Sequence, residues 1–166
     1  MKSKYIIIII SLVIVFLIVI ALLCTKLLNK KIELKNIKYF SFSYSNGYAI
    51  NSNIIYTLKK ENNKLFVSIK PYGIDDEEKL ETAVDSSFLS DLENVLNKYN
   101  VGSWNGFNKN NKYVLDGDSF SLSVNLENDK SISAHGYMEW PNNYNSVKEE
   151  LDKLFMDIYI KELGNQ

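Results

Sequence analysis

A chain of 166 residues has room for about one folded domain, and its one cysteine, Cys24, excludes a disulfide framework. All nineteen basic residues are lysine, and residues 39–166 hold twelve of them against nineteen acids, a net charge of −7. An acidic domain without arginine has neither the positive field nor the bidentate fork used on phosphates, so nucleic acid is excluded as a partner.

Residues 1–4 are a short tail. From Tyr5 to Cys24, twenty consecutive positions hold only Ser11 as a clearly polar residue. At 1.5 Å rise per residue they give a helix about 30 Å long, the thickness of a bilayer's hydrocarbon core. In lipid the backbone must bond to itself, which makes a transmembrane helix the expected form despite the many β-branched residues. The run exceeds a secretory h-region, and no small-residue cleavage site comes after it. Lipid attachment at Cys24 would require a small residue where Leu23 stands, so an uncleaved single-pass anchor is expected.

Two signals oppose each other on orientation. Lys26, Lys30, Lys31, Lys35 and Lys38 lie after the span, against Lys2 and Lys4 before it. Counted alone, these charges keep the C-terminal part inside. A short tail ahead of an apolar segment instead acts as a signal-anchor and exports the C-terminal part. Residues 25–36 read as a basic juxtamembrane linker, and residues 37–166 as the water-soluble domain. The linker charges suit anionic headgroups, whereas the net negative domain is expected to stand off the membrane.

The domain opens with a strand over Ile37–Ser45, where Phe40, Phe42 and Tyr44 alternate with serines. A two-residue hairpin at Asn46-Gly47 would set Phe42 opposite Asn51 and mix the faces, so a longer connection through Asn53 is expected. Ile54–Lys60 and Lys64–Lys70 form a hairpin about Asn62-Asn63, pairing Leu58 with Val67 and Tyr56 with Ile69. Residues 75–81 read as a solvated acidic stretch. Residues 86–99 carry a helical stripe behind an Asp85 N-cap, with Val84 and Leu89 placed as a hydrophobic staple.

Residues 100–118 read as a long loop holding Trp104 and Phe107. Ser119–Leu126 and Lys130–Met138 form a second hairpin. A three-residue connection sets Val124 opposite Ile132 and Leu122 opposite Ala134. Phe120, Leu122, Val124, Ile132, Ala134 and Met138 then share the core face. A last helix over 144–162 buries Val147, Leu151, Leu154, Phe155 and Ile158. The expected fold class is α+β: an N-terminal transmembrane helix, then an antiparallel sheet with two helices packed on one face.

Trp104-Asn105-Gly106-Phe107, Asp116-Gly117-Asp118-Ser119-Phe120-Ser121-Leu122, Ala134-His135-Gly136-Tyr137 and Pro141-Asn142-Asn143-Tyr144 make a series over roughly residues 85–156. It resembles an uncharacterised family of small Gram-positive bacterial domains that sit behind a membrane anchor or lipoprotein signal. The resemblance implies an extracytoplasmic location and brings no catalytic residues with it.

The chemistry-bearing residues are few. His135, the one histidine, shares the polar face of its hairpin with Tyr137 and Glu139, while Trp104, Phe107 and Trp140 could form an aromatic platform or cap the core. Asp116-Gly117-Asp118 lacks the further oxygen ligands of a calcium loop. No catalytic set, metal site or cofactor is expected. The expected function is a noncatalytic, membrane-tethered binding or interaction module, contacting the bilayer through residues 5–24 and a protein or glycan through Trp104, Phe107, His135, Tyr137 and Trp140. The alternative is a small anchored hydrolase or metal-dependent enzyme using His135 with Asp116, Asp118 or Glu139. An exposed aromatic cleft would favour the first, and convergence of the histidine and carboxylates the second.

Overall fold

The computed structural model describes residues 13–20, 32–45, 47, 53–75 and 78–164. The chain divides into two compact units, residues 1–32 and 33–166. In the first, residues 13–20 are helical, and all eight are apolar and exposed, from 39% at Ile20 to 65% at Phe16. The rest of the expected 5–24 span lies outside the described residues. Among the described residues, no helix is long and apolar enough to cross a membrane.

The second unit is α+β. Its strands are β1 (Ile37–Ser45), β2 (Asn53–Glu61), β3 (Lys64–Lys70), β4 (Leu80–Val84), β5 (Phe107–Asn110), β6 (Ser119–Leu126) and β7 (Ser131–Tyr137). They form a seven-stranded sheet in the order β4-β3-β2-β1-β6-β7-β5. The expected all-antiparallel sheet is corrected in one respect: β5 runs parallel to β7, with Phe107 beside Ala134, so the sheet is mixed. Two helices, α1 (Ser86–Lys98) and α2 (Tyr144–Leu163), accompany it, with a 3-10 turn over Val101–Trp104.

Side-chain parity fixes the registers. Asn62 and Asn63 both take positive φ, 50° and 60°, as a type I′ turn demands. Leu58 then meets Val67, and Tyr56 meets Ile69. β6 and β7 pair as the three-residue connection requires, Val124 with Ile132 and Leu122 with Ala134. β1 and β2 pair from Ser45 opposite Asn53, which puts Phe42 opposite Tyr56 and confirms a connection longer than a tight turn. A register shift between Ile37 and Tyr39 opposite β6 lets Ile37 and Phe40, three apart, both reach the core.

The core lies between the helices and one sheet face. Phe88, Leu92 and Leu96 of α1 and Tyr144, Val147, Leu151 and Phe155 of α2 are buried there. Phe155 joins the layers: its ring stacks on Tyr56 at 4.7 Å and Phe40 at 5.9 Å, and meets Phe88 edge-on at 5.1 Å. Asp85 caps α1, accepting from the Ser87 amide at 2.9 Å.

Four local expectations are revised. Residues 80–81, read as the end of an acidic stretch, belong to β4, which pairs with β3 as an edge strand. The 100–118 loop contains the 3-10 turn and β5. Met138 leaves the core face, because its φ of 52° turns the chain out of β7, and it is 37% exposed. Leu34, in the stretch read as linker, is fully buried. The Asn97 side chain brackets it, accepting from the Leu34 amide at 2.9 Å and donating to its carbonyl at 2.7 Å.

Candidate functional site

Both helices lie on one face, and among the described residues of the folded unit none covers the centre of the other face. Its centre is a field of hydroxyls set by strand alternation: Ser41 and Ser43 on β1 lie beside Ser123 and Ser121 on β6. Ser45 and Ser119 share a hydrogen bond of 2.8 Å. On the β7 side, the Ser121 hydroxyl and His135 Nδ1 are 3.1 Å apart, and the Tyr137 hydroxyl donates to the Leu115 carbonyl at 2.8 Å.

On the β1–β4 side the face hollows into a groove of about 700 Å³. Its floor includes Tyr39, Ile55, Thr57, Phe66, Ser68 and Ala83, and Lys59, Glu61, Lys79 and Glu81 stand around it. Ile55 and Phe66 occupy strand positions where alternation calls for polar residues, and Phe66 is 38% exposed. These two out-of-phase apolar residues are the sequence signal for the groove, and reading the strands only for their buried faces passes over it.

The five residues singled out from sequence do not converge. His135 and Tyr137 lie on the open face. Trp104 is buried on the helical side, where its indole N–H donates to the Asn142 carbonyl at 3.0 Å. Phe107 packs beside Phe120, with ring centroids 6.1 Å apart. Trp140 stacks on Tyr144 at 4.5 Å, keeping 38% exposure. The three aromatics therefore close one end of the core. Beside them is a cleft of about 190 Å³, bordered by Asp118, Ser119, Trp140 and Lys148.

Beneath the sheet, Asp152 accepts from the Tyr44 and Tyr56 hydroxyls at 2.7 and 2.9 Å and pairs with Lys148 at 3.0 Å. Burial first, then the adjacent Asp152 carboxylate, pushes both phenols above their usual range. Both therefore stay protonated, and they tie α2 to the sheet. Among the described residues, no three of His, Cys, Asp and Glu are grouped so as to hold a metal ion. No protein-family model matches the chain, and no curated protein matches it significantly.

Proposed function

We propose that this protein is a noncatalytic binding module, tethered to a membrane by residues 5–24 with its folded unit extracytoplasmic, and that it holds a segment of a partner protein in the groove over β1–β4. The groove carries this reading. It offers apolar contact at Ile55 and Phe66, hydroxyls at Thr57 and Ser68, and charges of both signs at its margin. A polypeptide supplies all three kinds of complement, whereas a glycan platform needs a broad exposed aromatic face.

The tether rests on the apolar run itself, whose twenty positions from Tyr5 to Cys24 would span a bilayer's hydrocarbon core as a helix. The resemblance over residues 85–156 supports export. Protease added to intact cells should digest the folded unit, and digestion only after lysis would place it inside.

The groove is tested in the full-length chain in cells, with a photo-crosslinking residue replacing Thr57 or, on the helical side, Asp157. A defined protein adduct should form from position 57 alone and disappear when Phe66→Asp is added. An adduct indifferent to that change, or none at all, removes the groove as the binding surface.

A further inference from the structure

Among the large apolar side chains of the described residues, Tyr113 and Leu115 are the most exposed, at 98% and 93%. They lie on the turn between β5 and β6, and that turn is tied down. The Asn111 amide donates to the Tyr137 carbonyl at 3.0 Å, and the Tyr113 amide donates to Asn111 Oδ1 at 3.1 Å. The Tyr137 hydroxyl holds the Leu115 carbonyl at 2.8 Å. Val114, between the two, is half-buried with its side chain beside Gly117. The turn is therefore fixed by other groups, and the side chains of Tyr113 and Leu115 contribute almost no packing to their own copy. Apolar surface held out in this way gains free energy when another surface covers it.

Resting on the reading that the groove over β1–β4 binds a protein segment, we infer that the segment is this turn, residues 112–116, of a second copy of the chain. A copy's own turn cannot reach its groove. Phe66 lies in one row with Lys59, Tyr39, Asn125 and Ser131, across β3, β2, β1, β6 and β7. Tyr137, which holds Leu115, stands at the far end of β7 from Ser131. The turn is therefore about 19 Å across the sheet and about 20 Å along it from Phe66. Groove and turn match group by group. Tyr113 and Leu115 complement the apolar floor at Ile55 and Phe66, and the Tyr113 phenol suits the hydroxyls of Thr57 and Ser68. Lys112 and Asp116 flank the two apolar residues, are exposed and make no ion pair among the described residues. Glu61 and Lys59, at the margin of the groove, are exposed and unpaired in the same way, so each charge of the turn meets its opposite. The contact joins two different surfaces, and so it can be broken separately in the copy that gives the turn and in the copy that receives it.

The test expresses two full-length copies with different tags in the same cells, one of them carrying a photo-crosslinking residue at Thr57. Illumination should give an adduct of twice the mass of one chain, bearing both tags. Tyr113→Ser with Leu115→Ser in the other copy should reduce this adduct about tenfold or more. The same two changes in the copy that carries the crosslinker should leave it in place, because that copy only receives. Both side chains are exposed, so the variant folds as the parent does. A two-tag adduct that is indifferent to the turn in the other copy overturns the turn as occupant. An adduct with a different protein overturns the second copy and leaves the groove as a binding surface. The absence of any adduct ends both claims together.

Discussion

The Tyr56 hydroxyl, buried at the middle of β2, donates a 2.9 Å hydrogen bond to the Asp152 carboxylate of α2, while its ring stacks on Phe155 one turn further along the helix. One side chain thus contributes both apolar packing and a charge-assisted hydrogen bond to the contact between sheet and helix. Tyr56→Phe keeps the packing and removes the bond, so it should cost about 2 kcal/mol in urea unfolding. A cost under about 0.5 kcal/mol would show that water replaces the hydroxyl.

The same network sets an alkaline limit. Burial, with the Asp152 carboxylate next, holds the Tyr56 phenol above its ordinary value of 10.0 when folded. The unfolded chain then loses protons that the folded chain keeps. This contribution is complete below about pH 10 and is lost as pH rises beyond it. Tyr56→Phe should make stability fall less steeply above pH 10 in circular-dichroism melts. An unchanged slope would show that the phenol ionises alike in both states.

How far the fold was legible depended on whether alternation had a single solution. At Asn62-Asn63 and at 127–129, one loop length sorted apolar from polar residues, and the registers came with it. β5 is four residues, Phe-Asn-Lys-Asn, too short to carry a period, and β4 is an edge strand among acids; neither announces itself. Leu34 reads as linker because its neighbours are charged, and the Asn97 side chain that secures it is sixty-three residues away. His135 and Tyr137 do lie on the polar face that alternation assigns them. The groove escapes such a reading because Ile55 and Phe66 count as noise when strands are read for one buried face.

Asn97→Ala tests that distant clasp. It leaves the Leu34 amide and carbonyl without their side-chain partner in a part-buried place and should cost about 1–3 kcal/mol. Hydrogen exchange at Leu34 should accelerate more than exchange at Val124 in the sheet centre. Equal acceleration at both would mean that Asn97 acts on the whole unit rather than on the start of the chain.

Asp85 gives a prediction at the acid end of the pH scale. The Ser87 hydroxyl, then the Phe88 and Ser87 amides, hold its carboxyl below the usual range. A depressed folded value contributes stability that is present above about pH 4 and lost as pH falls through the folded value. Asp85→Ala should therefore lower the melting temperature at neutral pH, and the gap from the parent should close near about pH 2. A gap that persists in acid would assign the effect to backbone preference instead of the carboxylate.

At Gly136 the backbone of β7 lies close against its neighbours. A Cβ there would meet the Glu139 carbonyl and lie 2.5 Å from Cε1 of buried Phe120, so neither neighbour can yield freely. Gly136→Ala should cost about 3 kcal/mol through overpacking. Gly73, with φ of 78° and open space around it, should cost only about 1 kcal/mol on the same change, from backbone strain alone. Similar costs at the two sites would show that Phe120 can move aside.

The β2–β3 turn isolates backbone conformation from packing, because Asn62 and Asn63 are both exposed and both left-handed. Glycine adopts φ of 60° without a Cβ penalty but gains freedom in the unfolded chain, so Asn63→Gly should shift stability upward by only a few tenths of a kcal/mol. Asn63→Ile places a β-branched side chain in the same conformation and should cost about 1–2 kcal/mol while the core packing stays as it is. The register of Leu58 against Val67 depends on this turn. The isoleucine variant should therefore also weaken the nuclear Overhauser effect between those residues before the sheet melts, and a stable variant with that signal intact would mean the pairing is fixed by the core alone.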